Sequence, residues 1–207
     1  MFEGTSWWFR IFYFLTAMVP AYILFAFQFV DNYISDFDAN LNENDTNTSN
    51  VYLQLIIIVV LIFILGLLIG KFLKRKIKGA ADVDFTKDFK LDNIQHYSKN
   101  GEVISFLLGV VFPSVFTLSN NKMISIILFI CIQLLIYILM IKSSSIFPNV
   151  LMMVFFSMDI YEITSEKQNY IITFIRKPLE SGKISRIGNS KSCNTFTFFM
   201  EEKQNER

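Results

Sequence analysis

Four apolar blocks without a single Asp, Glu, Lys, Arg or His constrain this chain more than any other feature. Residues 11–30 and 51–70 are twenty residues each, 123–141 are nineteen, and 103–118 are sixteen. A helix rises about 1.5 Å per residue and the hydrocarbon core of a bilayer is roughly 30 Å thick, so about twenty apolar residues cross it. In that solvent every backbone N–H and C=O has to be bonded within its own segment, which an α-helix achieves. The expectation is an α-helical membrane protein with four transmembrane helices. The third block is the weakest, being short and carrying Pro113 at its middle, and a re-entrant segment is its alternative. Composition agrees, since 53% of the 207 residues are hydrophobic and 23 are Phe, more than an ordinary soluble domain carries. The first block is long and has no small-residue cleavage site after it, so it reads as a retained anchor.

The net charge is only +1, and its distribution says more than its sum. The segment 31–50 holds five acids and no Lys or Arg, whereas 71–102 holds eight basic residues and the tail after Ile141 holds nine. With Arg10, eighteen of nineteen basic residues fall on one side, Lys122 being the exception. Such asymmetry sets orientation and places the N terminus, the 71–102 loop and the C-terminal tail in the cytoplasm. Trp7, Trp8, Arg10, Lys71, Lys74, Arg75, Lys76 and Lys78 form the expected headgroup-facing set, by topology and by attraction to anionic lipid.

Three parts lie outside these blocks. The outer loop 31–50, rich in Asn, Asp, Thr and Ser, reads as mobile. Its two N-x-S/T triplets arise readily by chance in such a composition. Residues 146–158 are charge-free but too few to span; with Pro148-Asn149 as a helix start they read as an interfacial helix within 143–158. From Asp159 the pattern turns to strands, at 160–164, 170–175, 184–187 and 195–200, broken by Pro178, Gly182 and Gly188. This predicts a small C-terminal cytosolic antiparallel β module, 159–207, beside a transmembrane domain of 1–142.

The motifs argue against chemistry in this chain. His96 is the one histidine, and no hydrolase, phosphate-binding or metal-ligand pattern accompanies it. Cys131 and Cys193 are far apart and read as ordinary thiols. No enzyme activity, cofactor or metal is expected. With no ionisable group inside a span, a pump or ion-coupled transporter is disfavoured. Gln133, mid-depth in the last block, suits a hydrogen bond between helices, with pore lining as the alternative. Gly66 and Gly70 form a G-x-x-x-G, the spacing that lets helices approach closely. Pro20 should kink the first span and free a backbone carbonyl.

The layout, together with Ser144-Ser145-Ile146-Phe147-Pro148-Asn149, Tyr161-Glu162-Ile163 and Tyr170-Ile171-Ile172, resembles the KwaA family, the membrane subunits of the bacterial Kiwa anti-phage system. The resemblance implies a homo-oligomer, tetrameric in the family, in the bacterial inner membrane. It implies a soluble KwaB-like partner that carries the nucleic-acid-directed activity, so that nucleic acid is met only through the partner. It also implies a sensor and scaffold whose spans and outer loop detect disturbance and whose cytosolic face docks the effector. Tyr161, Tyr170, Phe174, Arg176, Lys177 and Arg186 of the tail are the docking residues this reading selects. The rival reading is a small oligomeric channel or pore-forming effector, gated by a ligand at the β module and closed by a hydrophobic constriction.

Overall fold

A computed structural model describes residues 5–38, 47–79, 95–98, 102–111, 122–142, 147–165, 168–175, 183–186 and 195–199. The first block becomes two helices, α1 (Trp7–Ala17) and α2 (Val19–Asp38), bent by 50° at Met18. The Ser6 hydroxyl caps α1 by accepting from the Phe9 N–H. The break falls where Pro20 requires it. Proline has no N–H for the carbonyl four residues back, that of Thr16, and its ring crowds that carbonyl. Bonding resumes around it, with Met18 N–H on Phe14 O at 3.0 Å and Tyr22 N–H on Met18 O at 3.1 Å.

The helix α3 (Asn47–Gly79) runs for 33 residues, about 50 Å. It is thus longer than the apolar block 51–70 and carries the Lys/Arg run on its last two turns. The segment expected as an outer loop is correspondingly short of loop. α2 continues to Asp38 and α3 starts at Asn47, leaving only 39–46 outside the described residues. Extending an existing helix costs little once its nucleus is formed, so polar residues follow the apolar ones into it.

The helix α4 (Glu102–Phe106) passes into a π turn at Leu107–Val111. These ten residues are too few to cross a membrane, and the remainder of the third block, 112–118, lies outside the described residues. The helix α5 (Lys122–Lys142) holds the fourth block. Two helical stretches, Tyr52–Ile77 and Met123–Lys142, are long and apolar enough to cross a membrane, and the bent pair α1–α2 makes a third if it is one span.

The helices meet on α1. Phe9, Tyr13, Phe14, Thr16 and Ala17 are buried at helical spacing. Around them gather Leu73 and Ile77 of α3, Phe106 and Val111, Met140 of α5, and Met152. Helix α5 turns Ser125, Gln133 and Met140 inward. Its Phe129 stacks on Phe25 at 4.0 Å and its Tyr137 meets Phe14 edge-on at 5.3 Å. The opposite faces of α3 and α5 expose Ile and Leu along their length, as a hydrocarbon solvent permits.

A seven-residue helix, α6 (Val150–Phe156), precedes the strands β2 (Asp159–Ser165), β3 (Gln168–Ile175), β4 (Lys183–Arg186) and β5 (Thr195–Phe199). Their backbones pair with β1 (Gln95–Ser98) in one five-stranded sheet of order β1-β2-β3-β5-β4. Two features differ from expectation. First, the sheet is mixed: β3 and β5 run parallel, with Thr173 opposite Phe196, while the other pairs are antiparallel. Second, the 71–102 segment, expected as a loop, contributes a strand. Its residues 95–98 pair with β2, setting His96 opposite Ile163. A four-residue edge strand with one strong β-former, Tyr97, has no period to read; its partner strand creates it.

Candidate functional site

The chain passes from the helices to the four C-terminal strands through α6, and α6 is held at three points. Its start is fixed by Asn149. The side-chain Oδ1 accepts from the Met152 N–H at 3.1 Å, an N-cap bond, and Nδ2 donates to Thr16 Oγ1 at 2.7 Å and to Tyr13 O at 3.2 Å. Thr16 Oγ1 lies 2.9 Å from both the Phe12 and the Tyr13 carbonyl oxygens, either of which its one hydrogen can serve. The Tyr13 hydroxyl donates to Phe147 O at 2.6 Å. Asn149, Tyr13 and Thr16 are all buried. Both amide donors of Asn149 are therefore used, and its bonds to Thr16 and Tyr13 are buried. Polar bonds between membrane helices average about 0.6 kcal/mol each, whereas leaving such a group unsatisfied costs about 1–3 kcal/mol.

The middle of α6 rests on the two glycines of α3. A Cβ on Gly66 would lie 2.8 Å from Val19 Cγ2 and 3.1 Å from Leu151 Cδ1. One on Gly70 would lie 2.5 Å from Phe156 Cε2 and 3.1 Å from Leu151 Cδ2. Within this chain the G-x-x-x-G thus seats α2 and α6 on α3. Phe155 adds an edge-on contact to Phe63 at 5.1 Å.

The end of α6 is gripped by Lys74. Its Nζ donates to Phe156 O at 3.3 Å and stands 5.7 Å over the Phe156 ring. A cation at the last carbonyls of a helix also complements its dipole. The chain then turns on Ser157, whose φ of 52° and ψ of 44° are left-handed, with Met158 N–H bonded back to Met152 O at 3.2 Å. Two residues later Asp159 opens β2, and Ile160 is buried in the same core as Tyr13 and Met152. The arrangement offers no chemistry of bond making. It is a joint between layers: a short helix fixed to α1 and α3 at one side and continuous with a strand at the other.

The residues singled out from sequence divide accordingly. Gly66 and Gly70 lie in the joint. Gln133 is 8% exposed, faces the bundle, and neither amide atom has a hydrogen-bond partner among the described residues. Of the headgroup-facing set, Lys74 is engaged on α6, and Arg10 is engaged on Thr5, its Nη2 donating to the carbonyl at 3.0 Å and its Nε to Oγ1 at 3.1 Å. Trp7, Trp8, Lys71, Arg75 and Lys76 are exposed. The side chain of Lys78 lies outside the described residues, as do those of Tyr161, Tyr170, Phe174 and Arg186 on β2, β3 and β4, while Arg176 and Lys177 lie outside altogether. Among the described residues no His, Cys, Asp and Glu group could hold a metal ion. Tyr13, Thr16 and the clamp of Lys74 were not selected from sequence. Asn149 carried a local signal, a capping residue just before an apolar run.

A family model described as anti-phage protein KwaA matches residues 9–198, nearly the whole chain. No curated protein and no solved structure matches it.

Proposed function

The chain belongs to the anti-phage protein KwaA family, and from that premise we propose that it is the membrane sensor and scaffold of a defence complex. Its helices cross the inner membrane with both termini in the cytoplasm. A disturbance of the spans moves α1 against α3; α6, fixed to both, transmits the motion to β2 and so to a cytosolic sheet. That sheet docks a soluble KwaB-like effector that binds nucleic acid, with Tyr161, Tyr170, Phe174, Arg176, Lys177 and Arg186 as its docking residues. The observation that carries the reading is the triple clamp on α6, a buried polar and glycine-seated contact at the point where helices hand over to strands. In this account the protein is a homo-oligomer and needs no cofactor or catalytic residue of its own.

The experiment is truncation after Met158. The remaining chain should reach the membrane fraction at the level of the full-length protein and recover no partner in a detergent pull-down. Recovery of the partner at the full-length level would refute docking on the sheet.

One observation favours the second reading, a small oligomeric channel gated from the sheet. The unpartnered amide of Gln133 in the middle of α5 is a polar group that a water-filled path would satisfy. Release of a trapped dye from vesicles holding the purified protein alone would support the channel, and retention of the dye would favour the scaffold.

A further inference from the structure

Four aromatic rings form a continuous ladder from the start of α1 to the basic end of α3. Trp7 meets Trp8 at 4.7 Å, Trp8 meets Phe12 at 5.9 Å, and Phe12 meets Phe72 edge-on at 5.5 Å. The ladder ends under a cation, with Lys76 Nζ 5.8 Å from the centre of the Phe72 ring. Trp7, Trp8 and Phe72 are 59%, 60% and 45% exposed, so the fold builds this row and leaves it uncovered. Arg75 and Lys76 follow Phe72 by three and four residues and therefore flank it on the same helix face. Leu68, one turn back along that face, is 61% exposed. Lys74 points elsewhere, onto α6.

We propose that this row is a defined binding site for one anionic phospholipid of the leaflet at the basic end of α3. Its phosphate lies between Arg75 and Lys76. The glycerol region lies against Trp8 and Phe72, whose indole N–H and ring edge suit the boundary between headgroup and chain. One acyl chain runs down past Leu68. Charge complementarity selects the occupant, since an anionic headgroup brings net negative charge to the two cations and a zwitterionic one brings none. The site differs from the general attraction of a basic loop to a membrane because it depends on the collar as well as on charge. The fold contains its own control. Lys142, at the end of α5, is exposed and makes no cation–ring contact among the described residues.

The test is a lipid titration of the full-length, detergent-solubilised protein by native mass spectrometry, with phosphatidylglycerol and phosphatidylcholine as probes. Each basic residue near an anionic headgroup contributes on the order of a fivefold gain in affinity, so the R75Q/K76Q pair should bind the first phosphatidylglycerol about thirtyfold more weakly than wild type. K76Q alone should weaken it by about fivefold and K142Q by less than about twofold, and Phe72→Leu, which keeps all charges, should weaken it by about threefold. Equal losses in K76Q and K142Q would overturn the proposal in favour of general attraction, as would wild-type affinity in R75Q/K76Q or in Phe72→Leu. All of these positions are exposed, and an unchanged elution volume and Tm confirm that each variant is folded.

Discussion

Asn149 shows how much one amide can fix. It caps α6 and joins it to α1 through two donor bonds, so Asn149→Ala removes a cap worth about 1 kcal/mol and both of the buried bonds to α1. We expect a loss of about 1–3 kcal/mol, read as a lower Tm in detergent. Ser157→Gly should act in the other direction. Its left-handed backbone costs a non-glycine residue about 1–2 kcal/mol, and glycine removes that cost, so the Tm should rise. An unchanged Tm in both variants would contradict the account of the joint. At this scale the sequence was half legible. Asn149 before an apolar run signals a helix start, but Pro148 stands outside α6 rather than in its first turn. Tyr13 and Thr16 carry no local signal, because their roles come from a segment more than 130 residues away.

At the scale of elements the glycines govern how closely helices approach. Gly70→Ala places a methyl group 2.5 Å from the Phe156 ring, and Gly70→Leu has no room at all. Overpacking of this kind costs about 1–3 kcal/mol, and α6, the shortest partner, is the element that yields. A cysteine pair joining α3 to α6 should therefore cross-link in the wild-type background and fail in Gly70→Leu. Cross-linking at the wild-type rate would show that α6 keeps its seat. The G-x-x-x-G was legible from spacing, and its partner was not: the motif reads as well for a second copy of the chain as for a helix eighty residues downstream. The kink at Pro20 was legible for the converse reason, being a property of one residue and its own helix. The sheet was legible as strands and not as pairings. β1 is too short to announce itself, and the parallel β3–β5 contact is decided by long-range closure that no local pattern encodes.

For the whole molecule, the four apolar blocks predict four crossings, and the described residues contain two helices, or with the bent pair three, able to cross a membrane. Whether the segment from Glu102 completes another crossing fixes the parity of the topology. The proposed arrangement places both termini in the cytoplasm, so reporters fused at either end should both be active there; opposite sides would mean an odd number of crossings. Membership in the KwaA family supplies the biological context, and the clamp on α6 is the contact on which the proposed relay rests. The most direct test is phage plating on cells that carry the complete defence system with Gly70→Leu in this chain. If α6 is the relay, the variant reaches the membrane at the wild-type level, the partner still co-purifies, and plating efficiency rises to that of undefended cells. Protection equal to wild type, with α6 shown to be displaced, would contradict the relay.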